Sequence, residues 1–103
     1  MPWYTACSVH DLPEGSCFSA DLGGENVLLV NVEGELHAMS NICSHDYAEL
    51  HEGELEGGEI LCPLHLARFD VRTGAALSPP AYEDLPVFAV RMVDDEIQVE
   101  IED

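Results

Sequence analysis

Glu96-Ile97-Gln98-Val99-Glu100-Ile101-Glu102 alternates polar and branched aliphatic residues without a break, the period of two that belongs to a strand wetted on one face. Working back along the chain, Asp94-Asp95 predicts a turn, and before it Phe88, Val90 and Met92 alternate with Ala89 and Arg91, so the two runs predict a hairpin. A second hairpin is predicted from Asn26-Val27-Leu28-Leu29-Val30-Asn31-Val32 through Glu33-Gly34 into Glu35-Leu36-His37-Ala38-Met39. Shorter strands are expected over residues 3–7 and 16–21, parted by the breaker-rich Asp11-Leu12-Pro13-Glu14-Gly15. No window of a dozen residues carries helical periodicity. The expected fold class is therefore all-β, an antiparallel sandwich or small barrel.

The middle of the chain breaks this pattern. From about residue 41 to residue 80 the apolar runs dissolve into loops carrying Gly53, Gly57, Gly58, Pro63, Gly74, Pro79 and Pro80, with short strands expected only over 59–61 and 68–71. A loop-rich stretch of that length inside a small domain needs an organiser. Cys43-Ser44-His45 and Cys62-Pro63-Leu64-His65 lie within it, each offering one sulfur and one imidazole from a short segment. One such pair is weak; two make a four-ligand set, Cys43, His45, Cys62 and His65, that suits a tetrahedral zinc ion or a two-iron cluster. Zinc sites with two Cys and two His more often place the cysteines together and the histidines together. For two irons, neutral imidazoles on one of them make the centre less negative than four thiolates would, and raise its potential.

Composition sets the surroundings. Against 21 Asp and Glu stand 3 Arg and no Lys, for a formal charge of −18 in 103 residues. Such a chain repels phosphates and is no nucleic-acid binder; a charged partner should be basic. Leu, Ile, Val and Phe still exceed the one fifth below which highly charged chains stay unfolded. No apolar run approaches the roughly 20 residues of a membrane span, and the first residues lack the basic start and apolar stretch of a secretion signal. The expectation is a single domain over 1–103 in a reducing cytoplasm, without disulfides. No Ser/His/Asp grouping and no phosphate-cradling Gly loop is present, and four protein ligands leave no open metal position, so no enzyme is expected.

Asn41-Ile42-Cys43-Ser44-His45, then Cys62-Pro63-Leu64-His65, then Arg68-Phe69-Asp70-Val71-Arg72-Thr73-Gly74 resembles the Rieske-type [2Fe-2S] proteins, and among them the small ferredoxins of bacterial aromatic ring-hydroxylating dioxygenase systems. The resemblance covers nearly the whole chain. It implies an all-β, antiparallel β-sandwich base with a loop-rich cluster-binding subdomain at about 41–80, and one [2Fe-2S] cluster, with Cys43 and Cys62 on one iron and His45 and His65 on the outer one. It implies a bacterial one-electron carrier that receives electrons from an NAD(P)H-dependent flavin ferredoxin reductase. The carrier passes them, through transient and electrostatically steered docking, to a Rieske terminal oxygenase, and is expected to be a monomer. The nearest rival is the Rieske-like small subunit of an assimilatory nitrite reductase; from another class, a structural zinc module that binds other proteins.

Respiratory members of the family resemble C-T-H-L-G-C and C-P-C-H-G-S-x-Y; their two extra cysteines, which form a disulfide, fall here at Ala48 and Leu64, and their sulfur-directed hydroxyls at Ala67 and Phe69. With fewer donors and an acidic surface, the expected potential lies near the bottom of the Rieske range, roughly −150 mV rather than about +300 mV. Leu66 stands where many relatives have Gly. Cys7 and Cys17 are read as small core residues of no assigned role, His10 and His37 as structural or solvated, and His51 as a solvated loop histidine. Glu49, Glu52, Glu54, Glu56 and Glu59 form a wet edge that could also frame the docking face. Pro79-Pro80 is read as a stiff third loop over the cluster.

Overall fold

In the computed structural model, which describes residues 3–42, 49–62, 68–77 and 84–101, the run Asn26 to Val32 decides the layering. Val27, Leu28, Leu29 and Val30 are all fully buried, so this strand is covered on both faces, and that is why it reads as a continuous apolar run rather than an alternation. Strand β1 spans Trp3–Ser8, β2 Cys17–Leu22, β3 Glu25–Val32 and β4 Glu35–Ser40. The short β5 (Glu54–Glu56), β6 (Glu59–Leu61) and β7 (Arg68–Asp70) follow, and then β8 (Val87–Phe88), β9 (Val90–Val93) and β10 (Glu96–Glu100). All pairings are antiparallel, in sheets ordered β1-β10-β9, β2-β3-β4-β8 and β5-β6-β7.

The central β2-β3-β4-β8 sheet separates two cores. Val27 and Leu29 of β3 join Cys7, Leu12, Leu22, Ala38, Ile97, Val99 and Ile101 on the side of β1 and β10. Leu28, Val30 and Val32 turn the other way, with Met39 of β4, to meet Leu50, Ile60, Cys62, Phe69, Val71 and Leu85 on the side of the β5-β6-β7 sheet. The all-β expectation holds, and both hairpins form about their expected turns. At Glu33-Gly34 both residues take positive φ (52° and 90°), the pair a type I′ turn requires; Asp94 takes φ 51° at the other.

The last hairpin differs from its expectation in one respect. The run through Phe88 and Val90 is two strands, because it changes partner at Ala89: Val87 and Phe88 pair with Met39 and Ala38 of β4, whereas Val90 to Val93 pair with β10. Ala89 itself accepts from the Glu100 N–H. One chain segment thus edges two sheets. Strand β5 was hidden in the acidic run, and a 3-10 turn occupies Val9–Asp11, capped by Ser8 through the His10 and Asp11 contacts. Among the described residues no helix is long and apolar enough to cross a membrane.

Candidate metal centre

The three segments that bear the expected site, residues 43–48, 63–67 and 78–83, are anchored at neighbouring points. Ile42 bridges Glu49 across the first, and the Leu50 N–H donates to the Asn41 carbonyl (2.7 Å). Leu61 pairs with Arg68 across the second. The third leaves from Leu77, whose N–H donates to the Arg68 carbonyl (2.8 Å), and it returns at Asp84 and Leu85. There the Asp84 carboxylate accepts from the Ala76 N–H (2.9 Å) and the Leu85 N–H donates to the Gly74 carbonyl (2.7 Å). Arg68 therefore anchors the second and third segments together.

Gly53 brings the first against the second. It follows the short 3-10 turn Leu50–Glu52 and lies so close to the Leu61 carbonyl that a Cβ at this position would overlap that oxygen. Leu61 leads directly into Cys62, a free thiol with no exposed surface, in the same apolar core as Leu50, Ile60 and Phe69. Of the four expected ligands Cys62 is the one among the described residues; Cys43, His45 and His65 lie outside them, as do Ala48, Leu64, Leu66, Ala67, Pro79 and Pro80. The described residues alone hold no group of three or more Cys, His, Asp or Glu able to bind a metal. What they do offer fits an iron–sulfur centre: a soft sulfur with no exposed surface, in apolar surroundings. Phe69 is fully buried in that core and has no hydroxyl to donate.

The polar framework beside this site was not legible in the sequence. Asn41, fully buried, has every polar group occupied. Its N–H donates to the Asn26 carbonyl (2.9 Å) and its carbonyl accepts from Leu50. Its Oδ1 accepts from the His51 N–H (2.9 Å), and its Nδ2 faces Asn26 Oδ1 (3.2 Å) and His51 Nδ1 (3.0 Å). Asn26 in turn donates to the Glu49 carboxylate (3.2 Å). His51 is thus half-buried and tethered, not the solvated loop histidine expected. The only local hint was an Asn two residues ahead of a Cys-x-His; its partners lie 10 and 15 positions away.

The remaining residues fall as follows. Of the acidic run, Glu54, Glu56 and Glu59 fold into the β5–β6 hairpin, where Arg68 sits against Glu59 (3.1 Å) and Glu56 (3.4 Å). The hydrogen bond that Arg68 donates to Glu59, aided by Glu56, holds the guanidinium above its ordinary basicity against a lowering by desolvation. Glu54 and Glu49 remain exposed. Cys7 is buried, with its thiol pushed up by desolvation and then by Asp11; Cys17 is half-buried and likewise raised by desolvation. Both suit the core reading. His10 is exposed, and His37 lies half-buried on β4.

The Rieske [2Fe-2S] domain family matches residues 2–89. The chain is 39% identical over 100 residues to the ferredoxin component of the naphthalene 1,2-dioxygenase/salicylate 5-hydroxylase systems of Ralstonia sp, covering 97% of this chain and 96% of that one. Its structure resembles the ferredoxin of carbazole 1,9a-dioxygenase from Nocardioides aromaticivorans IC177, with a TM-score of 0.94 at 33% identity over 99% of this chain and 100% of the other. It also resembles a chain in a complex of reduced oxygenase and oxidized ferredoxin of carbazole 1,9a-dioxygenase, with a TM-score of 0.89 at 30% identity over 97% of each. Ferredoxin relatives matched nearly end to end favour neither a nitrite reductase subunit nor a zinc module. The chain belongs to the Rieske [2Fe-2S] family, as a ferredoxin: an electron carrier with one [2Fe-2S] cluster, not an enzyme.

Proposed function

We propose that this ferredoxin carries single electrons from an NAD(P)H-dependent flavin ferredoxin reductase to the Rieske terminal oxygenase of an aromatic ring-hydroxylating dioxygenase system, in a bacterial cytoplasm. In this reading residues 1–103 are one Rieske-type domain whose cluster-binding part spans about 41–80. Cys43 and Cys62 would hold one iron of the cluster, and His45 and His65 the other. When bound, the cluster supplies the one-electron chemistry. The chain provides a buried sulfur at Cys62, an apolar floor of Leu50, Ile60 and Phe69, and a surface of charge −18. The observation that carries the reading is the meeting of three segment anchors around buried Cys62, in a chain matched nearly end to end by dioxygenase ferredoxin components.

The acidic surface favours a basic docking partner, with exposed Glu49 and Glu54 available at the rim. Carrier contacts of this kind bury less than about 1,200 Å² and are short-lived, so the protein acts as a monomer. Optical and EPR spectra before and after dithionite test the cofactor and its ligands. The expected result is a histidine-ligated [2Fe-2S] signal that is lost in His65→Ala. Zinc without acid-labile sulfide, or an unchanged signal in that variant, would overturn the ligand assignment. Stopped-flow reduction by purified flavin reductases, and reoxidation by terminal oxygenases, at low and physiological salt test the partners; rates indifferent to salt would remove electrostatic steering.

A further inference from the structure

Asn41 carries no charge, yet among the described residues it is the fully buried polar side chain, set beside cores of aliphatic, aromatic and sulfur-bearing groups. Burying an amide is costly unless all of its hydrogen bonds are made. Here they are made, and the partners fix every orientation. Asn26 donates its Nδ2 to Glu49, so its Oδ1 turns toward Asn41. The His51 N–H donates to Asn41 Oδ1, so the Asn41 Nδ2 must face both Asn26 Oδ1 and His51 Nδ1. A reversed amide would set NH2 against N–H and oxygen against oxygen. The His51 Nδ1 is therefore an acceptor, and the imidazole carries its proton on Nε2.

The bonds join the strand start at Asn26 to the residues on both sides of the 43–48 segment: Asn41 before it, and Glu49, Leu50 and His51 after it. The Ile42–Glu49 bridge closes the same point. We propose that Asn41, acting through His51, is a positioning residue for the cluster: a polar clasp that fixes the take-off and return of residues 43–48, and thereby Cys43 and His45. The proposal rests on the assignment of those two residues as ligands.

The test uses the holoprotein with Asn41→Leu, His51→Ala and His51→Asn, and with His45→Ala in parallel. The readouts are EPR of the reduced protein, the midpoint potential, and the rate of bleaching in the presence of a chelator. Asn41→Leu keeps the branching of the side chain and loses every one of its polar contacts. His51→Ala keeps the backbone bond to Asn41 Oδ1 and removes the imidazole, and with it the Nδ1 contact. His51→Asn puts an amide oxygen near the Nδ1 position. The expected result is a shifted or broadened EPR signal and a changed potential in Asn41→Leu and His51→Ala. Bleaching should be about fivefold faster in His51→Ala, the factor implied by one lost hydrogen bond, and faster still in Asn41→Leu, which loses three; His51→Asn should return all three readouts to wild type. Should Asn41→Leu fail to fold, the two His51 variants decide. Wild-type EPR, potential and bleaching in folded His51→Ala, or a His51→Asn variant no better than His51→Ala, would overturn the clasp. A wild-type signal in His45→Ala would instead overturn the ligand assignment on which the clasp depends.

Discussion

His37 Nε2 is buried and has no hydrogen-bond partner among the described residues; Glu35, at 3.9 Å, is too distant to serve. The residue faces Val30 across the β3–β4 ladder, and Val30 in turn faces Cys17 across β2–β3. His37→Val removes the unsatisfied nitrogen and builds a β-branched cross-strand pair, so it should stabilise the fold by about 1 kcal/mol, seen as a higher Tm. A lower Tm would mean that the nitrogen has a partner in solution. The thiols of Cys7 and Cys17 give a pH dependence of definite sign. Burial raises both above the ordinary 9.0, so the folded protein keeps these protons at pH values where the unfolded chain has lost them. Their contribution is constant below the ordinary value, and stability falls as pH climbs from there toward the folded values. Urea midpoints between pH 8 and 10 should decline, and should decline less in the Cys7→Ala/Cys17→Ala double variant.

Among the elements, the short 3-10 turn Leu50–Glu52 and strand β6 meet at Gly53, where a side chain has no room beside the Leu61 carbonyl. Gly53→Ala must push the first segment's return leg away from the residue that leads into Cys62. The expected cost is about 2 kcal/mol or more, with impaired cluster loading in the same preparation; a variant with normal Tm and loading would show that this contact is slack. The β3–β4 turn offers the opposite change. Glu33 holds φ 52° without the short side chain that tolerates it, and Glu33→Asn should raise stability by about 0.5 kcal/mol, measurable by chemical denaturation. The long strands were legible because one face of each is dry and the period of two survives. β5 and the split at Ala89 were not, because two or three residues carry too little pattern and because partner exchange leaves no mark in composition. The Cys-x-His and Cys-x-x-His spacings pointed to a metal centre and left zinc and a two-iron cluster open; the resemblance to Rieske proteins named the cofactor. The Asn41–His51 pairing, made across ten positions by folding, could not be read from spacing at all.

For the molecule as a whole, charge dominates. The three arginines are each engaged, Arg68 with Glu56 and Glu59, Arg72 with Glu35 at 3.3 Å, and Arg91 over the Trp3 ring at 4.1 Å and on Gln98 at 2.8 Å. Most of the 21 acidic residues thus have no basic counterpart, and their mutual repulsion works against compaction. Raising ionic strength from about 10 mM to 150 mM, which shortens the Debye length from roughly 30 Å to 8 Å, should raise Tm; a flat or falling Tm would show that the repulsion persists in the unfolded chain. The same field disfavours an added electron, so voltammetry should place the potential near the lower Rieske limit, roughly −150 mV, and more salt should move it upward. The ladder that closes the base pairs Trp3 with Glu100. During synthesis the first strand must wait for almost the entire sequence to leave the ribosome, about 5 to 20 s at ordinary elongation rates. Throughout that interval its hydrogen-bonding edge is open to neighbouring nascent chains, and like-signed charge along the polypeptide is what keeps those neighbours apart.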